Sequence, residues 1–573
     1  MYYHFLSKKA LRNFIQSASS FKRRSIFSDV IDYLNDRIGQ RKIAVLYGLQ
    51  ETGKTSLIKQ LISALPNDLA DLCVYFEATA STEMWRLETD LAELVSQGFR
   101  YFFLDEITHA QGFLNEAQHL ATYFVESGIK IVLAGTHSLD FWFLQRYQAY
   151  DRCQIFPMTF ISYAEWSYLF SNKETDFLNY LRCAGSLSFL NQDDTLYGYI
   201  DSAVGKNIQH ALLRFEQGKE LYELEPLEEK GELVEAVSSV IEKKTWSDMY
   251  SLFSNIAFLA QDNKIAGIIY KITDKDTVRL TSYKANISFV SYYGEKYADS
   301  LLIKLGQDKN RNKFVKSLCK DILKSLDIEL GRYSITEEQV DTIYSYLSVL
   351  HFALPMEQVF LWAGDYSSME LSENEYKFRK KIERRAARTL LFIQPRLRLA
   401  ILISTLREIE RRLQQIDPKD TAYFKEIEHS IFGVVCEETI LVETMVACTG
   451  LKNLKSNNRY RVCKVFFLDD TKLNPEFEGE IDMLVQDRDE KVCALYEIKL
   501  AKETKGKTFL RHISDEQKLE AIRTQFGTIV KRAVLFSGPM QTTPEGILFQ
   551  NIEQYLKTLH RDTWNTIFSS CVS

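Results

Sequence analysis

The stretch KIAVLYGLQETGKTSLIKQLISAL, residues 42–65, restricts the fold of this chain more than any other. Its apolar run, Ile43 to Tyr47, breaks into a short polar loop and resumes with helical apolar spacing, which predicts a buried strand, a loop and a helix. The loop fits G-x-x-x-x-G-K-[ST] as Gly48, Gly53, Lys54 and Thr55. Two glycines let backbone N–H groups wrap around an anion, and the helix N-terminus adds partial positive charge. These residue types in this order cradle a nucleoside triphosphate: Lys54 reaches the β- and γ-phosphates, and the Thr55 hydroxyl ligates Mg²⁺. The expected ATP-binding set is Gly48, Gln50, Glu51, Thr52, Gly53, Lys54, Thr55 and Ser56, with ATP and Mg²⁺ as cofactors.

A phosphate loop needs an acidic partner, and FRYFFLDEI supplies one. Tyr101 to Leu104 read as a buried parallel strand that delivers Asp105 and Glu106 at its C-terminal end, where open α/β sheets place ligand chemistry. Asp105 is expected to hold Mg²⁺ through water, and Glu106 to orient or deprotonate the attacking water. A third strand, KIVLAGTHS at 130–138, ends in Thr136 and Ser138; either can sense a γ-phosphate, and helix capping accounts for either hydroxyl equally well. Arg152 is a candidate for completing a neighbouring subunit's site, against the commoner surface or structural contact.

The order FKRRSIFSDVIDYL, VLYGLQETGKTSL, FFLDEI, IVLAGTHSLDF and FPMTFISYAEW over residues 20–166 resembles prokaryotic AAA-type ATPases that carry a C-terminal nuclease-like region. The resemblance implies a P-loop parallel-sheet ATPase core at 1–166. In that family the third strand usually ends in Gly-Ser, whereas Gly135 is followed here by Thr136 and His137.

At 573 residues the chain exceeds one ordinary core, so two or three domains are expected. The nine cysteines form no C-x-x-C pair and fit free thiols in a reducing compartment, so a cytoplasmic location is expected. No secretory leader and no apolar stretch of spanning length is found, and no membrane is expected. A net charge of -6 neither favours nor excludes nucleic acid, because a local basic face matters more than the sum. Residues 167–420 read as a mainly helical connector with a β insertion near 265–295. Its basic segment, read as a helix from 376 to 414, sets Lys377, Lys381, Arg384, Arg385 and Arg388 near one face, able to track a phosphate backbone or to pair with acidic segments.

The last region, 421–573, holds GEIDMLVQDRDEKVCALYEIKLA, two alternating strands, 481–486 and 492–500, around the turn DRDEK. Strand period puts Glu497 and Lys499 on one face, and a hairpin brings Asp482 beside Glu497. An Asp followed by E-x-K on the adjacent strand resembles the PD-(D/E)XK nuclease fold. The resemblance implies that Asp482 and Glu497 coordinate Mg²⁺ and that Lys499 positions a water or neutralises developing charge. It also implies a carboxylate on a preceding helix, Glu437 or Glu438, with the spacing from Gly433 favouring Glu437, and an α-β-β-β-α-β order that DEQKLEAIRTQFGTIVKRAVLFSG, read as a helix and then a strand, completes. The plain alternative is a solvated acidic hairpin.

The expected architecture is therefore α/β multidomain: a P-loop ATPase core, a helical middle with a small β insertion, and a PD-(D/E)XK-like α/β domain. The expected activity is ATP hydrolysis coupled to a nuclease-like domain acting on nucleic acid, DNA favoured. The alternatives are a nucleotide-controlled switch whose inactive C-terminal fold and helical middle bind a protein partner, and a DNA-binding regulator without chemistry. Oligomerisation is compatible with each.

Overall fold

The computed structural model describes residues 1–187 with short interruptions, parts of 222–252, and residues 336–362, 388–414, 422–450, 459–468, 479–501 and 510–569. Gln50, Ser138, the β insertion expected near 265–295, and Lys377, Lys381, Arg384 and Arg385 lie outside the described residues. The chain divides into two compact units, Met1–Glu220 with Val349–Phe352, and Leu221–Ser348 with Ala353–Ser573. Among the described residues no helix is long and apolar enough to cross a membrane.

The first unit is built on a six-stranded sheet of β1 (Leu6–Ser7), β2 (Ile43–Tyr47), β3 (Cys73–Glu77), β4 (Tyr101–Asp105), β5 (Lys130–Gly135) and β6 (Cys153–Pro157). The spatial order is β1-β3-β4-β5-β2-β6, and all pairs are parallel except β1 with β3. Both faces of this sheet are covered, which is why β2 is buried along its whole length. Ala44 and Leu46 pack with Leu57, Ile58, Leu61 and Ile62 of the helix Lys54–Ala64. Ile43 and Val45 share the opposite core with Leu87, Leu91 and Leu94 of the helix Met84–Ser96. Truncating a fully buried leucine such as Leu61 to alanine costs about 2–5 kcal/mol in such a core. Because β5 separates β2 from β4 and all three run the same way, the loop after β2 and the acids ending β4 reach one edge of the sheet.

The second unit carries an eight-stranded mixed sheet of β7 (Ala353–Trp362), β8 (Arg388–Phe392), β9 (Tyr460–Leu468), β10 (Gly479–Asp487), β11 (Val492–Lys499), β12 (Thr528–Phe536), β13 (Gln541–Thr542) and β14 (Leu548–Asn551). Its order is β13-β14-β12-β11-β10-β9-β7-β8, with β9, β10 and β11 antiparallel in turn and β11 parallel to β12. A 28-residue helix, Ala422–Thr449, precedes β9, and the helix Glu516–Phe526 lies between β11 and β12 in sequence. Leu519, Ile522 and Phe526 of the latter pack on Val465, Phe467, Leu495 and Val534.

Two expectations for the middle of the chain change. Strands β7 and β8 fall in the stretch expected to be a helical connector, and they extend the second unit's sheet. Arg388 opens β8 rather than continuing a helix from 376, and the helix begins only at Pro395. Proline suits the first helical turn but disfavours helical backbone in the residue before it, so Gln394 breaks the continuous helix that charge spacing alone suggests.

Candidate functional site

In the first unit the loop after β2 closes around Lys54. Gly53 takes φ 89° immediately before the helix, a conformation that favours glycine. A Cβ at Gly48 would lie 2.5 Å from Thr52 Oγ1 and 3.1 Å from Met158 Cβ, so the loop cannot close over a larger residue there. Two non-glycine residues, Glu51 and Glu106, also hold left-handed backbone at φ 63° and 47°. Such strain clusters at sites whose geometry the surroundings over-determine.

Among the described residues the loop's carbonyls are occupied. The Lys54 ammonium donates to the Gly48 and Leu49 carbonyls at 3.0 and 3.2 Å, the Thr52 hydroxyl donates to Leu49 at 2.8 Å, and the Leu187 N–H donates to Glu51 at 2.8 Å. Lys54 also stands 3.6 Å from Glu106. Burial pulls the Lys54 ammonium below its ordinary range, opposed by Glu106 and Asp105.

Asp105 Oδ2 accepts from the Thr55 hydroxyl at 2.6 Å and the Tyr75 hydroxyl at 3.1 Å, while Oδ1 accepts the Glu106 N–H at 3.0 Å. Burial pushes the Asp105 carboxyl up, with the Thr55 hydrogen bond opposing. Glu106 in turn accepts from the Thr136 hydroxyl at 3.1 Å. Lys54, Thr55, Asp105, Glu106 and Thr136 therefore meet at one edge. Arg152 stands just before β6, at the far end of that strand from the loop, and donates to the Thr122 hydroxyl at 2.9 Å. The Tyr75 contact is invisible in the sequence, where CVYFE reads as one more core strand; the register Glu77↔Asp105 is what sets Tyr75 beside the acid.

In the second unit, Asp482 sits where β10 bulges: Ile481 pairs with Val465 but Leu484 with Cys463, so two residues of β10 oppose one of β9. A bulge re-aims a side chain, and here Asp482 Oδ2 accepts the Ile498 N–H at 2.7 Å and the Lys499 ammonium at 3.0 Å. Lys499 is also 3.3 Å from Glu497 Oε2. Glu497 is 3% exposed, and its other oxygen has no hydrogen-bond partner among the described residues. Burial pushes Glu497 well above the carboxylate range, with Asp482 adding to it and Lys499 opposing. Burial also works to raise Asp482, but Lys499 and Lys464 hold it below its ordinary value.

The helix carboxylates separate cleanly. Glu438 turns to the buried Arg398, which donates to it at 2.8 and 3.2 Å. Glu437 pairs with Lys464 of β9, which also stands 3.9 Å from Glu480. Burial pushes Glu437 up to about 7 against the pull of Lys464, with Asp482 and Glu480 adding to the rise. Lys464 belongs to no motif; its signal in the sequence is a lone ammonium in the apolar strand YRVCKVFFL.

Chemically, the first site offers an ammonium and loop N–H groups for phosphate, and hydroxyl and carboxylate oxygens that suit a hard cation. The second offers carboxylates around two lysines. No curated protein matches the chain. Residues 40–166, which span the loop, both acids and Thr136, match the family model described as AAA domain, so this region is an AAA-type P-loop domain, a class of nucleotide-binding ATPases.

Proposed function

We propose that the chain is a Mg²⁺-dependent ATPase whose AAA domain controls a C-terminal nuclease-like site acting on DNA. Lys54 and the loop residues 48–56 bind the phosphates, Thr55 and Asp105 hold Mg²⁺, and Glu106 accepts a proton from the attacking water. In the second unit, Asp482, Glu497 and Glu437 are the cation's ligands, and Lys499 places a water or offsets charge on the phosphodiester. A bound Mg²⁺ supplies Lewis acidity toward the phosphate and lowers the pKa of a water.

One observation carries the nuclease reading: a buried Glu497 oxygen without a hydrogen-bond partner among the described residues, in a cluster where the carboxylates of Glu437, Glu480, Asp482 and Glu497 meet, among the described residues, the ammonium groups of Lys464 and Lys499. Fully ionised, that cluster is short of two positive charges, which a divalent cation supplies. The order helix, β9, β10, β11, helix, β12 is the one the PD-(D/E)XK resemblance implies and supports the same reading. A second reading, a nucleotide-controlled switch that binds a protein partner, draws support from the closure of Asp482 on Lys499 and of Glu437 on Lys464.

The deciding experiment incubates the protein with single- and double-stranded DNA and RNA, with Mg²⁺ or Mn²⁺, with and without ATP, beside Asp482→Ala. Cleavage abolished by that substitution supports the nuclease. No cleavage of any substrate while ATP hydrolysis continues moves the reading to the switch.

A further inference from the structure

The phosphate loop is held from outside by a residue far from it in sequence. The Arg24 side chain is 6% exposed, and each of its five N–H donors has an acceptor. Nη1 donates to the carbonyls of Thr52 and Met158 at 3.0 and 2.9 Å, Nη2 to the Phe160 carbonyl at 2.8 Å and to Glu165 at 2.9 Å, and Nε to Glu165 at 3.1 Å. The approach is fixed on the other side by Gln60 of the loop's own helix, whose amide donates to the Phe21 and Lys22 carbonyls at 2.9 and 3.3 Å.

Glu165 is bound in turn. It accepts from the Ser25 N–H and hydroxyl at 2.8 and 3.0 Å, and burial, which alone raises a carboxyl, is overcome by Arg24 and Ser25 so that it stays below its ordinary value. In sequence, Ser162-Tyr163-Ala164-Glu165 has capping-box spacing, and the Ser162 hydroxyl does accept the Glu165 N–H at 3.2 Å. The Glu165 carboxylate goes to Arg24, so this glutamate serves the loop as well as its own helix.

A trans peptide is planar, with its carbonyl and N–H pointing in opposite directions, and the described chain has no cis bonds. Fixing the Thr52 carbonyl toward Arg24 therefore aims the Gly53 N–H to the opposite side. We propose that Arg24, locked by Glu165, is a positioning residue that presets the phosphate loop for binding the β- and γ-phosphates of a nucleotide. The inference rests on the nucleotide-binding reading of the loop.

The test compares wild type, Arg24→Ala, Arg24→Lys and Glu165→Gln. Each is measured for binding of a fluorescent ATP analogue, for KM and kcat of ATP hydrolysis, and for melting without nucleotide. Losing a charged donor to a buried carbonyl is expected to weaken analogue binding and raise KM about tenfold or more in Arg24→Ala, with saturated kcat changed less than about twofold. Arg24→Lys, with three donors against five acceptors, is expected to fall between, and Glu165→Gln to show the smallest loss. Should Arg24→Ala not fold, Arg24→Lys and Glu165→Gln carry the comparison. Wild-type affinity and KM in the folded variants, or a lowered kcat at unchanged KM, would overturn the positioning role alone. A wild-type protein that binds no analogue would overturn the nucleotide reading and this inference with it.

Discussion

Both units place a lysine beside carboxylates carried on the sheet, yet the two lysines have different company. Lys54 donates to two carbonyls and meets one carboxylate at 3.6 Å, whereas Lys499 lies between Asp482 at 3.0 Å and Glu497 at 3.3 Å. Carbonyls are weak competitors for an ammonium, so Lys54 is free to transfer its attraction to phosphate. Lys499 stands where a cation is wanted, among carboxylates that burial makes costly to ionise. The first lysine faces acceptors that a phosphate can replace, and the second is already held by carboxylates.

Removing each lysine is the strongest way to break that contrast. Lys54→Met is expected to cut ATP hydrolysis about a hundredfold or more and to weaken nucleotide binding, read by phosphate release and analogue titration. Lys499→Met is expected to act in the opposite sense on its ligand: Mn²⁺ binds more tightly because a competing cation has gone, even as any cleavage is lost. Lys499 is 40% exposed, so solvent screening holds the gain to about tenfold. Weaker Mn²⁺ binding in Lys499→Met, measured by calorimetry, would erase the distinction between the sites.

The anion site was readable in advance because its parts are local or punctuated. Gly48 to Thr55 occupy one loop, and Asp105 and Glu106 end an apolar run whose burial is written in FFL. What stayed hidden depends on contacts between distant segments. Arg24 reaches the loop through a fold that brings residues 24, 52, 158 and 165 together, and Tyr75 meets Asp105 only through strand register. In the second unit E-x-K and Asp482 were visible, but the β10 bulge that aims Asp482 leaves no mark in an alternating pattern. The spacing from Gly433 favours Glu437 over Glu438, but that the buried Arg398 takes Glu438 could not be inferred from helix spacing. Strand β7 is not legible because ALPMEQVFLW stands in a stretch dominated by helical spacing.

Protonation sharpens the contrast at neutral pH. With Glu437 pushed up to about 7, its ionised form is lost as pH falls through that value, and a cation that uses it must displace a proton. Mn²⁺ affinity in the second unit is therefore expected to fall by up to about tenfold per pH unit below neutrality on account of Glu437, with the raised Glu497 carboxyl adding to the pH dependence. Glu437→Gln should bind more weakly at pH 8 and show a shallower slope, what is left coming from Glu497. An unchanged slope in the variant would remove Glu437 from the ligand set.

The smallest expected effect tests how firmly the first site holds its own acid. Tyr75 gives Asp105 Oδ2 a second donor besides Thr55, at 3.1 against 2.6 Å, and the phenol is buried. Tyr75→Phe removes one hydroxyl from a packed position without changing the ring, so the core is preserved while the carboxylate gains freedom to rotate. A single hydrogen bond to a charged group that solvent does not replace is expected to raise the Mg²⁺ concentration needed for half-maximal binding of the ATP analogue about three- to fivefold. Binding measured in chelator should not move, because Asp105 then has no cation to place. If affinity falls equally with and without Mg²⁺, Tyr75 supports the sheet rather than the acid, and the cation at the first site is held by Thr55 and Asp105 without help from β3.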